Sequence, residues 1–393
     1  VWNLDNRIDG NYARYRYDSQ TGTITATPHS LSRISQWGLA RDDDGRLYCS
    51  WAGGANPAHS FQFPAGYPIV RAPEHAEGYN IPYASCKVWD QSSGDYNEEK
   101  QTILQKFSAT GGQSVLRSPL YPEWYGNVVT PEPVGRFLRM SRIEEDDKTG
   151  LRVAHNQFPE SEFIRSTDAY FRPVWSDIGP DGCLYICDMY RGIIQEGNWV
   201  RPGSYLRDVV EEYGLDKNIK RGRIYRVVHE STKRGPRPKM LRAPTSELVS
   251  HLSHPNGWWR DTAQKLIVVR GDNSAVADLQ GLARSGEHAL GRMHALWALD
   301  GLGQSDARLL REKLGDTDPR VRAAAIRLSE RFLAAGDTTL TESFAPLVED
   351  TDVDVVIQLV LSLGRSAAPG GDVLIGRLAE KYRDNPNEMA IIG

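Results

Sequence analysis

The chain has 393 residues, 40% of them hydrophobic and 25% charged, with a formal net charge of −4. That length exceeds one ordinary hydrophobic core, so two or more domains are expected. The mild acidity excludes a sequence-independent nucleic-acid binder, which needs a strong basic excess. No apolar run approaches the ~20 residues of a membrane helix.

Taken in order, the chain opens at Val1 without an initiator Met, signal peptide or lipid anchor. It stops just after Met389–Ile392, which reads as the middle of a helix. Both ends read as cut, so a fragment of a longer protein is expected. Up to about Val228, short β-branched and aromatic runs alternate with Gly, Pro, Asn and Asp. They include Gly22–Thr27, Arg46–Ser50, Gly126–Thr130, Arg136–Met140, Cys183–Asp188 and Arg223–Val228. Many short strands between turn signals predict a sandwich, barrel or propeller.

A repeat favours the propeller over the sandwich. Asp44-Gly45-Arg46-Leu47-Tyr48-Cys49 returns as Asp181-Gly182-Cys183-Leu184-Tyr185-Ile186, and more loosely at Leu4–Ile8 and Arg221–Arg226. Each copy sets a turn residue before an apolar-aromatic strand, where glycine accepts a positive φ. A unit recurring with long insertions is typical of propeller blades. The four cysteines, Cys49, Cys86, Cys183 and Cys187, form no Cys-x-x-Cys. Cys183 and Cys187 would lie ~13 Å apart along one strand, too far for a disulfide. Buried small hydrophobes are the simplest reading, with a metal pair as the alternative.

Residues 229–245 read as a basic, Pro-containing linker. From Ser246 the apolar period becomes helical. Arg260-x-x-Ala263-x-x-Leu266 returns at Arg292, Ala295 and Ala298, then at Arg322, Ala325 and Leu328, with a weaker echo at Val356 and Leu359. Breakers such as His254-Pro255 and Asp318-Pro319 precede these units, as expected at helix starts. The spacing predicts stacked helix pairs of HEAT type. The expected fold is therefore a partial all-β propeller over 1–228, the linker, and an all-α HEAT-like solenoid over 246–393.

Several long segments carry a resemblance. Phe171-Arg172-Pro173-Val174-Trp175-Ser176-Asp177-Ile178-Gly179-Pro180-Asp181-Gly182 through Gln195 resembles a characteristic stretch of the membrane-bound dehydrogenase-like proteins of planctomycetes and verrucomicrobia. Tyr125–Gly135 and Gln36–Tyr48 resemble earlier blades of that family, and Gly257–Gln264 resembles the start of its helical repeats. The resemblance implies a propeller similar to that of soluble quinoprotein sugar dehydrogenases, which hold pyrroloquinoline quinone and calcium. It also implies export or membrane attachment through missing segments, and a c-type haem domain on a missing C-terminal part. A catalytic histidine would fall before Val1.

Quinone-dependent alcohol oxidation needs a base for the hydroxyl proton and cations for the quinone carboxylates. Arg172 and Arg191 bracket one strand, Asp188 ends it, and Glu132 holds a comparable place one blade earlier. These four are the expected cofactor-binding residues, and the alternative is that they pin loops. The catalytic base is not assigned. His59 reads as a loop histidine rather than a base. Trp37, Trp175 and Trp199 could stack on a sugar or fill blade cores. Glu144-Glu145-Asp146-Asp147 reads as a solvated hairpin, its spacing fitting no calcium loop. Two functions follow. The first is an exported oxidoreductase acting on sugars or related alcohols. The second is a non-catalytic scaffold that binds a glycan or a protein. Nucleic acid is not an expected partner.

Overall fold

The computed structural model describes residues 12–17, 21–29, 38–50, 57–59, 61–62, 74–85, 107–146, 150–193, 200–230, 232–233 and 235–384. The chain divides into two compact units. One comprises 1–15, 26–146 and 151–236, and the other comprises 16–25, 147–150 and 237–393.

Strands come first. β1 (Tyr12–Tyr17) and β2 (Ile24–His29) form one pair, and β3 (Leu39–Arg41) and β4 (Leu47–Cys49) form another. A five-stranded antiparallel sheet follows, with β5 (Ser114–Val115), β6 (Val128–Glu132), β7 (Phe137–Glu145) and β8 (Arg152–Asn156) in order. β9 (Ile164–Arg165) pairs with the start of β7, and β8 with its end. β10 (Pro173–Ile178), β11 (Leu184–Asp188) and β12 (Arg223–Val227) make a three-stranded sheet, with helix α1 (Tyr205–Tyr213) in the connection between the last two. Leu116, Val129, Leu138 and Met140 meet Phe171, Ile178, Leu184 and Ile186 in a core between these two sheets.

The repeated turns have a clear local cause. Gly45 and Gly182 take φ of 82° and 81°, a region that penalises a Cβ. An aspartate closes each turn. Asp42 accepts from the Arg46 amide at 2.8 Å and the Tyr48 hydroxyl at 3.0 Å. Asp181 accepts from the Cys183 amide at 3.2 Å and the Tyr185 hydroxyl at 3.0 Å. The tyrosine three residues after the glycine is thus a lock on its own turn.

The second unit's helices are α2 (Thr245–His251), α3 (Gly257–Arg270), α4 (Val276–Ser285), α5 (Ala289–Gly301), α6 (Ala307–Lys313), α7 (Pro319–Ala334), α8 (Thr338–Ser343), α9 (Val353–Leu363) and α10 (Gly371–Lys381). Helices α3, α5, α7 and α9 pack each on the next, and α2, α4 and α6 pack on the helices that follow them. Asn256, Asp318 and Asp352 cap α3, α7 and α9 through their side-chain oxygens. The recurring arginine has one job at all three sites. Arg260, Arg292 and Arg322 each donate to main-chain carbonyls five and six residues earlier, at 2.7–2.9 Å, 2.8–3.2 Å and 2.9–3.4 Å. Arg292 and Arg322 also grip Asp316 and Asp350 with two hydrogen bonds each, between 2.6 and 2.9 Å.

The expected succession of an all-β propeller and an all-α HEAT-like solenoid is corrected by this architecture. The described strands divide into antiparallel sheets of two, three, two and five, with β7 shared between β8 and β9, rather than recurring as like blades. The first unit is mixed, since α1 interrupts the three-stranded sheet. The second unit takes in 16–25, which carries the end of β1 and the start of β2. The misreading has a physical source. An Asp-Gly turn specifies a hairpin, whereas the way hairpins associate depends on contacts far apart in sequence.

Candidate functional site

The ends of β6, β10 and β11 gather the polar residues singled out above. Glu132 closes β6 and is fully buried. Its oxygens accept from the main-chain amides of Ser108 at 3.1 Å, Ala109 at 3.0 Å and Val134 at 3.1 Å. Burial pushes its carboxyl up to about 7, against the downward pull of these amides and that of Gly135. Phe107, Val134 and Phe137 form the apolar cluster at this position.

Arg172 precedes β10 and is 0% exposed. Its guanidinium donates to the carbonyls of Arg191 at 3.0 Å, Pro133 at 2.9 Å, Val134 at 3.3 Å and Gly192 at 2.7 Å. It therefore ties the segment after β6 to the segment after β11. Arg191 enters this contact through its carbonyl and is half-buried. Asp188 ends β11, and its Oδ1 accepts from the amides of Arg172 at 2.8 Å and Tyr190 at 2.7 Å. Its Oδ2 is buried and receives no hydrogen bond.

The structure thus brings the four predicted residues into one corner, where most of their polar atoms serve the backbone. Arg172 and Glu132 do not fit a quinone carboxylate or a substrate hydroxyl: neither is exposed, and their donors and acceptors are turned onto main chain. Among the described residues, no group of three or more His, Cys, Asp or Glu is placed to hold a calcium ion. His59 is buried, exchanges both main-chain hydrogen bonds with Cys49, and lies 4.0 Å from Glu74. Burial, then the neighbouring His75, lowers its imidazole to about 4, so it is neutral near pH 7. Trp37, Trp199, Cys86 and Asp147 lie outside the described residues. Glu144 and Glu145 are exposed at the end of β7, where Glu144 pairs with Arg142 at 2.7 Å.

Trp175 is where core and surface readings part. It lies on the outer face of the three-stranded sheet, 40% exposed. In register beside it are Cys187 on β11 and Ile224 on β12, the latter 69% exposed. The next row on that face is Asp177, Tyr185 and Arg226. The indole lies against Gly112, where a Cβ would come within 1.9 Å of the ring. Gly112 itself bridges β10, its amide donating to Val174 at 2.8 Å and its carbonyl accepting from Ser176 at 2.9 Å. The ring is thus packed against backbone.

Three further residues of the Asp188 corner were missed in the sequence. Tyr190 has a φ of 47°, unusual for a bulky side chain. Asn218 donates to its carbonyl at 2.8 Å, and its hydroxyl donates to Asp168 at 2.9 Å. The Arg223 guanidinium lies 3.4 Å from the Tyr190 ring centroid. No linear signal joins these residues, because Arg223 reaches Asp188 only through strand register.

Fold and site together define a mixed α/β protein in which antiparallel sheets carry a backbone-saturated polar corner and an outward-facing aromatic row. Residues 3–231, more than half of the chain, match the family described as Domain of unknown function (DUF7133), and the chain belongs to that family. The comparison with curated proteins found no match.

Proposed function

We propose that this protein is a binding scaffold that recognises carbohydrate on the outer face of the β10–β11–β12 sheet. The observation that carries the reading is Trp175, half-exposed on an open sheet face with its ring backed by Gly112. An exposed aromatic plane held on a rigid element contributes large contact area at low entropic cost. The apolar row of Trp175, Cys187 and Ile224 lies beside the polar row of Asp177, Tyr185 and Arg226. A pyranose ring has the same division, with an apolar C–H face and a rim of hydroxyls. The oxidoreductase reading implied by the dehydrogenase resemblance is the weaker one for these residues. Two of the side chains expected to hold its cofactor, Arg172 and Glu132, are sealed and occupied by main chain.

The test is a neutral-oligosaccharide array followed by calorimetry on hits. Trp175→Ala should weaken binding at least tenfold, and Trp175→Phe should retain part of it. Equal affinity in wild type and Trp175→Ala, or no hit on the array, overturns the reading. Dye reduction by the full-length protein with pyrroloquinoline quinone, calcium and a sugar would support the oxidoreductase instead.

A further inference from the structure

The carboxylate of Asp188 is left half-used. It is 3% exposed, and Oδ1 is fixed by two main-chain amides, so the group cannot turn to satisfy its other oxygen elsewhere. Oδ2 is buried without a hydrogen bond. Buried acceptors in folded proteins are nearly always satisfied, and an exception calls for a partner or a use. Across the strand pair lies Arg223, exposed and resting on Tyr190. Lys220 and Arg221, also exposed, precede it in the chain, and Asp168, bonded to the Tyr190 hydroxyl, is an exposed acidic group beside it. Tyr190 is held in the left-handed region by the Asp188 and Asn218 hydrogen bonds. Backbone strain kept in place by surrounding contacts is a frequent mark of a ligand clamp.

We propose that this corner is a subsite for an acidic sugar, a hydroxylated carboxylate of the uronate type. The proposal rests on the carbohydrate-binding reading and names the substrate class for a second position on the same sheet. One ligand hydroxyl donates to Asp188 Oδ2. The ligand carboxylate pairs with Arg223, whose planar fork suits a bidentate contact. Arg223 is the movable part: it swings from Tyr190 toward the ligand, while Asp188 stays fixed by the Arg172 and Tyr190 amides. A metal cation suits the corner poorly, because Arg223 already brings positive charge to it. A neutral sugar could use Oδ2 but would leave Arg223 unused.

The experiment is calorimetry of the intact chain with a galacturonate trisaccharide and with a neutral trisaccharide of the same linkage. Asp188→Asn keeps an oxygen for the two amides and replaces only the open acceptor by a donor. Arg223→Gln removes the exposed charge. The uronate should bind at least tenfold more weakly to either variant, with unchanged melting curves. Its affinity to wild type should fall, by roughly severalfold, as salt rises from about 50 to about 300 mM and screens the exposed Arg223. Wild-type uronate affinity in Asp188→Asn, or equal affinity of wild type for both sugars, overturns the subsite. Neutral binding lost in Trp175→Ala with no uronate binding at all sinks the subsite and leaves the Trp175 platform standing. Uronate binding that depends on Asp188 and Arg223, with no neutral binding, sinks the platform alone.

Discussion

Glu132 and Arg172 show what a charged side chain does when its partners are main chain. Each is embedded, and its side chain is answered by main-chain amides or carbonyls. For Glu132 burial wins over the amides, and the carboxyl sits near 7 rather than near its usual 4.5. A raised folded-state value means that the stability from this group is fully present below about pH 4.5 and is lost as pH rises through 7. The loss amounts to roughly 3 kcal/mol, from about 1.4 kcal/mol per pH unit. Urea midpoints measured from pH 5 to pH 8 should fall in wild type. In Glu132→Gln the fall should be smaller; an identical fall would show that another group titrates. Arg172→Lys should cost about 2–4 kcal/mol, because one ammonium cannot reach four carbonyls and leaves buried acceptors unpaired.

At the scale of elements, repetition in the sequence becomes repetition of a contact. The Arg260, Arg292 and Arg322 positions each staple a helix's first turns to the loop before it, and two of them grip an aspartate from the following repeat. Burial pushes the Asp350 carboxyl up, but the Arg322 hydrogen bonds and the Asp352 amide outweigh it and bring the net value down. Stability from this pair is therefore present above pH ~4 and is lost as pH falls below it. Arg322→Ala should destabilise the helical unit by about 2–4 kcal/mol, read as a drop in melting temperature by helical circular dichroism. The same variant should flatten the acid limb of the stability profile. Gly182→Ala should cost more than about 1 kcal/mol, because its φ of 81° puts a Cβ under strain and 2.7 Å from the Ser118 hydroxyl.

For the whole molecule, the two compact units should unfold as distinguishable steps, as multi-unit chains commonly do. Arg322→Ala should move the step seen by helical circular dichroism, and Arg172→Lys the other step. A single transition shifted equally by both variants would contradict this. No described helix is long and apolar enough to cross a membrane.

Turn and helix positions were legible in the chain itself, because they depend on local chemistry. Glycine at positive φ, with a Tyr three residues on that bonds an Asp of the turn, shapes the two repeated hairpins, and arginine-alanine repeats, two of them after capped starts, mark α3, α5 and α7. The corner that joins Glu132, Arg172, Asp188 and Arg191 was partly legible, since all of them sit at or beside strand ends. What those residues do was decided by tertiary structure alone. Whether a guanidinium meets a ligand or four carbonyls depends on which segments lie around it, and Pro133 and Gly192 are far from Arg172 in sequence. The same holds for the sheets, where strand register across long connections placed Trp175 outside, put Arg223 opposite Asp188, and replaced like blades with sheets of unequal size. Local steric and hydrogen-bond rules act within a few residues; association of hairpins is governed by burial between distant ones, which a linear pattern does not encode.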